Sequence, residues 1–169
     1  MILEIVTYPA EILRKRAEQV TEITPEIKKL IADMKDTLYE AKGYGLAAPQ
    51  VGSSIQLLVL DETAGKEGQR PQVFINPVLS DEEGEIVAEE GCLSVPGEYS
   101  TCKRFAKLTV NALNERLEPI SMVAEGQLAR ILQHETDHLN GVLFLDRLPS
   151  FKRDTIKKHI KRRIQQGEY

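Results

Sequence analysis

The sequence predicts an α+β fold: mostly antiparallel strands packed around one central helix, with a further helix at the C-terminus. Two observations carry this. Short runs rich in β-branched and aliphatic residues gather between positions 55 and 113, while segments with helical apolar spacing flank them instead of alternating with them. The connections also carry turn chemistry, Gly and Pro above all, in lengths that suit hairpins.

The first helix is expected over about Pro25–Lys42. Thr24 is a good N-cap and Pro25 suits the first helical position. Ile27, Leu30, Ile31, Met34, Leu38 and Ala41 fall on one face, and Gly43 is expected to stop the helix. The run Gly43–Gln50 looks too rich in glycine for a regular element. Strands are expected at Ile55–Asp61, around Val73–Val78, near Ile86–Glu89 and at Ala106–Leu113, with Thr63–Pro71 as a hairpin connection. A second helix covers about Glu125–Leu139 and ends at Asn140-Gly141. Val142–Leu145 reads as a short strand or turn, and Ser150 as the cap of a final basic helix reaching about Gln166.

The chain has 169 residues, of which 41% are apolar and 28% charged, which suits an ordinary globular domain and argues against disorder. No apolar run approaches the ~20 residues needed to span a bilayer. Two cysteines, Cys92 and Cys102, are too few for a disulfide scaffold, and the opening residues lack the pattern of a signal peptide, so a cytoplasmic location is expected. The net charge of −4 excludes nucleic-acid binding by bulk electrostatics, so no DNA partner is expected. Charge is uneven: Asp81–Glu90 holds six acids and no base, and Lys152–Arg163 holds seven bases and one acid. We read residues 1–149 as one domain, and 150–169 as a basic helix extending it.

The strongest chemical signal is His134-Glu135-Thr136-Asp137-His138. Histidines four apart on a helix share one face and can grip one metal ion, so the central helix is read as metal-binding. Glu135, beside that face, can take a proton from a water on the ion without being a ligand. The competing reading is a solvated helix face. Ile131, Leu132 and Leu139 make this a core helix, where unpartnered His and Glu would cost several kcal/mol. A catalytic site usually has three protein ligands. His159 sits among lysines, so the third ligand should be a cysteine or a carboxylate. Cys92 lies in a glycine-flanked segment that allows close approach, although a free cysteine is as often a small core residue. Cys102, beside Lys103 and Arg104, is expected to be a half-buried strand residue. Glycine at 45 and 91 leaves room for an extended peptide to pair with the backbone.

Three separated motifs resemble the peptide deformylase family: Gly43-Tyr44-Gly45-Leu46-Ala47-Ala48-Pro49-Gln50, Glu90-Gly91-Cys92-Leu93-Ser94 and Gln133-His134-Glu135-Thr136-Asp137-His138. Tyr8-Pro9-Ala10-Glu11-Ile12-Leu13-Arg14 looks like the family's opening, so the resemblance covers nearly the whole chain. It implies hydrolysis of the N-formyl group from the initiator methionine of nascent peptides. Cys92, His134 and His138 would then be the ligands, Glu135 the proton carrier, and the Gln50 amide and Leu93 N–H the oxyanion donors. Tyr44 and Ala88 depart from the smaller and larger aliphatics usual at their positions, which alters the side-chain pocket. The resemblance implies Fe(II) in the cell, with Zn(II), Ni(II) or Co(II) in the isolated protein. Formyl-methionyl nascent peptides are the expected partners and the chain is expected to be a monomer; the basic helix reads first as a solvated face, with ribosome contact as the sharper alternative. Glu90 is expected to pair with Arg104, and Asp137 with a helix neighbour or Arg130. The other readings are a His-Glu-x-x-His peptidase with a thiolate ligand and a zinc-stabilised binding module.

Overall fold

The computed structural model describes residues 1–169. Its centre is a five-stranded antiparallel sheet in the order β1-β2-β3-β6-β7, formed by β1 (Gly45–Ala47), β2 (Leu57–Leu60), β3 (Gln72–Glu83), β6 (Lys107–Leu113) and β7 (Pro119–Glu125). Between β3 and β6 the chain makes a separate antiparallel hairpin of β4 (Ile86–Cys92) and β5 (Val95–Arg104). Helix α1 (Pro25–Glu40), helix α2 (Gly126–Leu139) and helix α3 (Ser150–Gln165) complete the α+β arrangement.

The sheet is buried on both faces at β2. All four of its residues are fully buried. Leu58 and Leu60 point into one core with Phe74, Leu108, Ala129, Leu132 and Leu139, on the side of α2. Leu57 and Val59 point into a second core with Ile31, Met34, Leu38, Val73 and Ile75, on the side of α1. The two-residue strand period thus shares this strand between two helices. A third core joins the hairpin to α3 through Val95, Cys102, Phe144, Ile156 and Ile160.

Several local expectations need correction. Thr24 caps α1 as expected, accepting from the Ile27 N–H at 3.2 Å. The left-handed residue that ends α1 is Lys42, with φ 56°, and not Gly43. Gly43 and Lys42 donate back to the Leu38 and Tyr39 carbonyls, a double closure that satisfies the last turn. The glycine-rich run does contain a strand, β1, because β2 supplies its pairing: Gly45 faces Leu60 and Ala47 faces Leu58. The sequence reading also lacked β5 and β7. Pro96, Gly97 and several polar residues hide β5, which exists by pairing with β4. In β7, Ile120, Met122 and Ala124 do alternate toward the core, and that pattern was readable. The Val142–Leu145 segment is neither strand nor simple turn but leads into a 3₁₀ turn over Phe144–Arg147. Ser150 begins α3 and makes no side-chain cap; Pro149 occupies the cap position.

Candidate metal centre

Three elements converge on one point. Helix α2 projects His134, Glu135 and His138; the end of β4 carries Glu90, Gly91 and Cys92; β1 and the 3₁₀ turn after it, Ala48–Val51, carry Gly45 and Gln50. The donor atoms of Cys92, His134 and His138 all lie within 4.8 Å of one another. The Cys92 sulfur is 3.3 Å from His138 Nε2. Two donors face that sulfur, the Ser94 backbone N–H at 3.4 Å and Gln50 Nε2 at 3.6 Å.

Each imidazole has a defined environment. His134 Nδ1 lies 2.9 Å from Glu90 Oε1. A carboxylate can only accept, so Nδ1 carries a proton in either charge state, and Nε2 offers its lone pair to an ion when His134 is neutral. Burial favours a neutral His134, but Glu135, Cys92 and Glu90 outweigh it and hold its pKa well above the usual value. Burial, together with the positive charges at His134 and Arg104, pushes His138 well below it. His138 Nδ1 and Glu135 Oε1 are buried without a hydrogen-bond partner. A cysteine sulfur and two imidazoles are a donor set that suits a borderline-soft divalent ion, with the orphaned Glu135 carboxylate beside it, so the residues fit a single metal ion.

Glu135 sits 4.0 Å from His134 Nε2. Burial lifts its pKa to about 7, Glu90 and Asp137 push the same way, and His134 and Arg104 oppose them. That value suits a group that accepts and returns a proton near neutrality.

Behind the ligands lies a buried charge chain. Arg104, 3% exposed, donates to Glu90 through Nε at 3.0 Å and Nη2 at 2.9 Å, and to Asp137 through Nη1 at 2.7 Å. Burial would raise the Glu90 pKa, but His134 and Arg104 bring it down to about 2. Asp137 also receives Arg147 through Nε at 3.1 Å and Nη2 at 2.8 Å. Arg130 is therefore not its partner; Arg130 Nη2 donates to the Glu89 carbonyl at 3.0 Å. The hairpin register brings Arg104 beneath α2, a long-range placement that no local spacing encodes. Sequence reasoning also missed Arg147, Ser94 and Gln133. Gln133 accepts from the Phe105 N–H and donates to its carbonyl, both at 2.9 Å, pinning α2 to the turn after β5.

A cleft of about 650 Å³ opens onto this centre. Tyr44, Gly45, Gln50, Gly91, Cys92, Leu93, His134 and Glu135 line it, while His138 lies behind, 1% exposed. Gln50 is locked by its own Oε1, which accepts from the Ala47 N–H at 2.9 Å, and its Nε2 donates to Ser94 Oγ at 3.1 Å. The Leu93 N–H makes no hydrogen bond within the protein. A Cβ at Gly91 would stand 2.5 Å from the ring of the exposed Tyr99. Cys102 is fully buried, not half-buried, and both cysteines are free. His159 lies away from the centre, against Glu98 at 3.1 Å.

A Cys-His-His donor set with an untethered buried glutamate, open to a peptide-sized cleft, defines a metal-dependent hydrolase of the His-Glu-x-x-His type. Residues 2–154 match the family model described as polypeptide deformylase. A peptide deformylase of Thermodesulfovibrio yellowstonii is 46% identical over 160 residues, 95% of this chain and 97% of that protein. One from Aquifex aeolicus is 49% identical over 155 residues, 90% of this chain and 91% of its own. The crystal structure of a peptide deformylase from Legionella pneumophila superposes with a TM-score of 0.90 at 43% identity, covering 98% of each chain. The chain belongs to the peptide deformylase family.

Proposed function

We propose how the residues of this chain divide the work of removing the formyl group from formyl-methionyl nascent peptides. Cys92, His134 and His138 hold one ion, Fe(II) in the cell, with Zn(II), Ni(II) or Co(II) able to replace it in the isolated protein. When bound, the ion supplies Lewis acidity, lowering the pKa of a water toward ~7. Glu135 accepts the proton as the water oxygen bonds to the formyl carbon. It returns a proton to the departing nitrogen as the C–N bond breaks, leaving formate and a free amine. Gln50 Nε2 and the Leu93 N–H donate to the developing oxyanion, each worth ~3–4 kcal/mol of barrier. Gly45 and Gly91 give an extended peptide backbone access, and Tyr44 borders the side-chain pocket.

The observation that carries this reading is the Glu135 carboxylate: buried, without a hydrogen-bond partner on Oε1, and 4.0 Å from the free nitrogen of His134. The test is Glu135→Gln in metal-loaded protein, assayed by formate release from formyl-Met-Ala-Ser. The expected result is a loss of at least 100-fold with full metal content. Retained activity overturns the assignment, and internal scission of the peptide would make the chain a peptidase. A closed zinc module fits poorly, because the donor cluster has three members and not four.

The same proposal treats the chain as one monomeric domain acting in the cytoplasm, with 150–169 as its extension; no helix is long and apolar enough to cross a membrane. Helix α3 buries Ile156 and Ile160 against the third core and exposes Lys158, Lys161 and Arg162. That face suits ribosomal phosphates, and attraction should weaken with salt. Cosedimentation with ribosomes that persists at low salt after deletion of residues 151–169 would reject the contact.

A further inference from the structure

The Glu135 carboxylate makes no hydrogen bond to any protein group, although Glu135 is only 4% exposed. A base with no tether must be held by packing, and the surface against it is the backbone of β1. A Cβ built on Gly45 would stand 2.7 Å from Glu135 Cγ, 2.7 Å from Oε2 and 2.9 Å from Cδ, and these are its three nearest heavy atoms. Such approaches do not occur between real atoms, so the glycine lies directly against Cγ, Cδ and Oε2 of the glutamate. Gly45 does not need to be glycine for its own backbone. It is absent from the positive-φ residues, it pairs with Leu60, and the neighbouring Tyr44 carbonyl accepts from Asp61 N–H at 2.8 Å.

We infer that Gly45 is a positioning residue: its bare Cα forms the wall that sets where the Glu135 carboxylate stands relative to His134. This rests on the role proposed above for Glu135, and it assigns Gly45 a task separate from leaving room for the substrate. A methyl group at 45 cannot move, because β2 fixes the strand. Glu135 must move instead, and the space open to it is the cleft. Displacing a reacting group by about 1 Å can cost ~100-fold in rate.

The experiment is a double-mutant cycle of Gly45→Ala and Glu135→Ala in the full chain loaded with zinc. Steady-state kinetics and the thermal midpoint of unfolding are read for each protein. In the wild-type background, Gly45→Ala should lower kcat for formyl-Met-Ala-Ser by ~10- to 100-fold with KM changed less than about threefold. It should also lower the midpoint by several degrees. In the Glu135→Ala background the added methyl enters vacated space, so the midpoint should not fall. If Gly45→Ala folds only when Glu135 is also replaced, the collision is demonstrated directly. The inference is overturned by a raised KM with kcat retained, which is the signature of substrate room. Equal losses of midpoint in both backgrounds overturn it as well. Failure of the Glu135 role itself reads differently: Glu135→Gln would keep full kcat whatever Gly45→Ala does.

Discussion

Replacing Glu90 by alanine removes three hydrogen bonds at once: two from Arg104, at 3.0 and 2.9 Å, and the contact with His134 Nδ1 at 2.9 Å. Arg104 is 3% exposed and would keep only Asp137, whose other bonds go to Arg147. Stranding one member of a buried ion pair costs ~3–5 kcal/mol. For a chain of this size each kcal/mol moves the thermal midpoint by ~2–4 °C, so a fall of ~6–20 °C is expected. His134 also loses the acceptor that fixes its tautomer, which should weaken metal affinity ~10- to 100-fold. Urea unfolding at fixed free zinc measures the first effect, and competition with a chromophoric chelator measures the second. Glu90→Gln, which keeps the shape and one acceptor, should fall between. A loss below ~1 kcal/mol with unchanged affinity would mean that Glu90 behaves as an exposed surface charge, and the reasoning would be refuted.

Three further outcomes are expected. Stripping the ion with a chelator should lower the midpoint reversibly, since free metal at 1,000 times its Kd stabilises a fold by ~4 kcal/mol; an unchanged midpoint would deny the site. Leu132→Ala, at a fully buried position under the sheet, should cost ~2–5 kcal/mol by urea titration, and less than 1 would show that the core relaxes around the gap. Burial would raise the pKa of Asp61, but hydrogen bonds from Arg70 N–H, Tyr39 and Thr63 outweigh it and hold the group at about 2 against an ordinary 3.8. Its folded pKa is depressed, so its contribution is complete above pH ~4 and is lost as pH falls toward ~2. The stability gap between wild type and Asp61→Asn should therefore close across that window, and a gap constant from pH 5 to 2 would contradict it.

What local chemistry writes into a short stretch was readable. The Thr24-Pro25 start of α1, the apolar stripes of α1 and α2, and the His134–His138 spacing all depend on neighbours within four residues. The ligand pair and its adjacent glutamate were legible for the same reason. Elements whose residues have weak preferences of their own were not. Strands β1 and β5 contain glycine and polar residues and exist because β2 and β4 pair with them.

The sequence by itself placed two imidazoles and a carboxylate on one side of a helix and, through the family resemblance, named a glycine-flanked thiol as the third candidate donor. The Glu90–Arg104 pair was also expected from the sequence, whereas the other partners behind them were decided only by the tertiary structure. Arg104 reaches Asp137 across 33 residues, Gln50 reaches Cys92 across 42, and Cys92 reaches His138 across 46. Such meetings follow from sheet register and core packing, which sum many weak contacts over the whole chain. So does the burial that makes Glu90 a buried ion pair and leaves Glu135 held by a glycine wall.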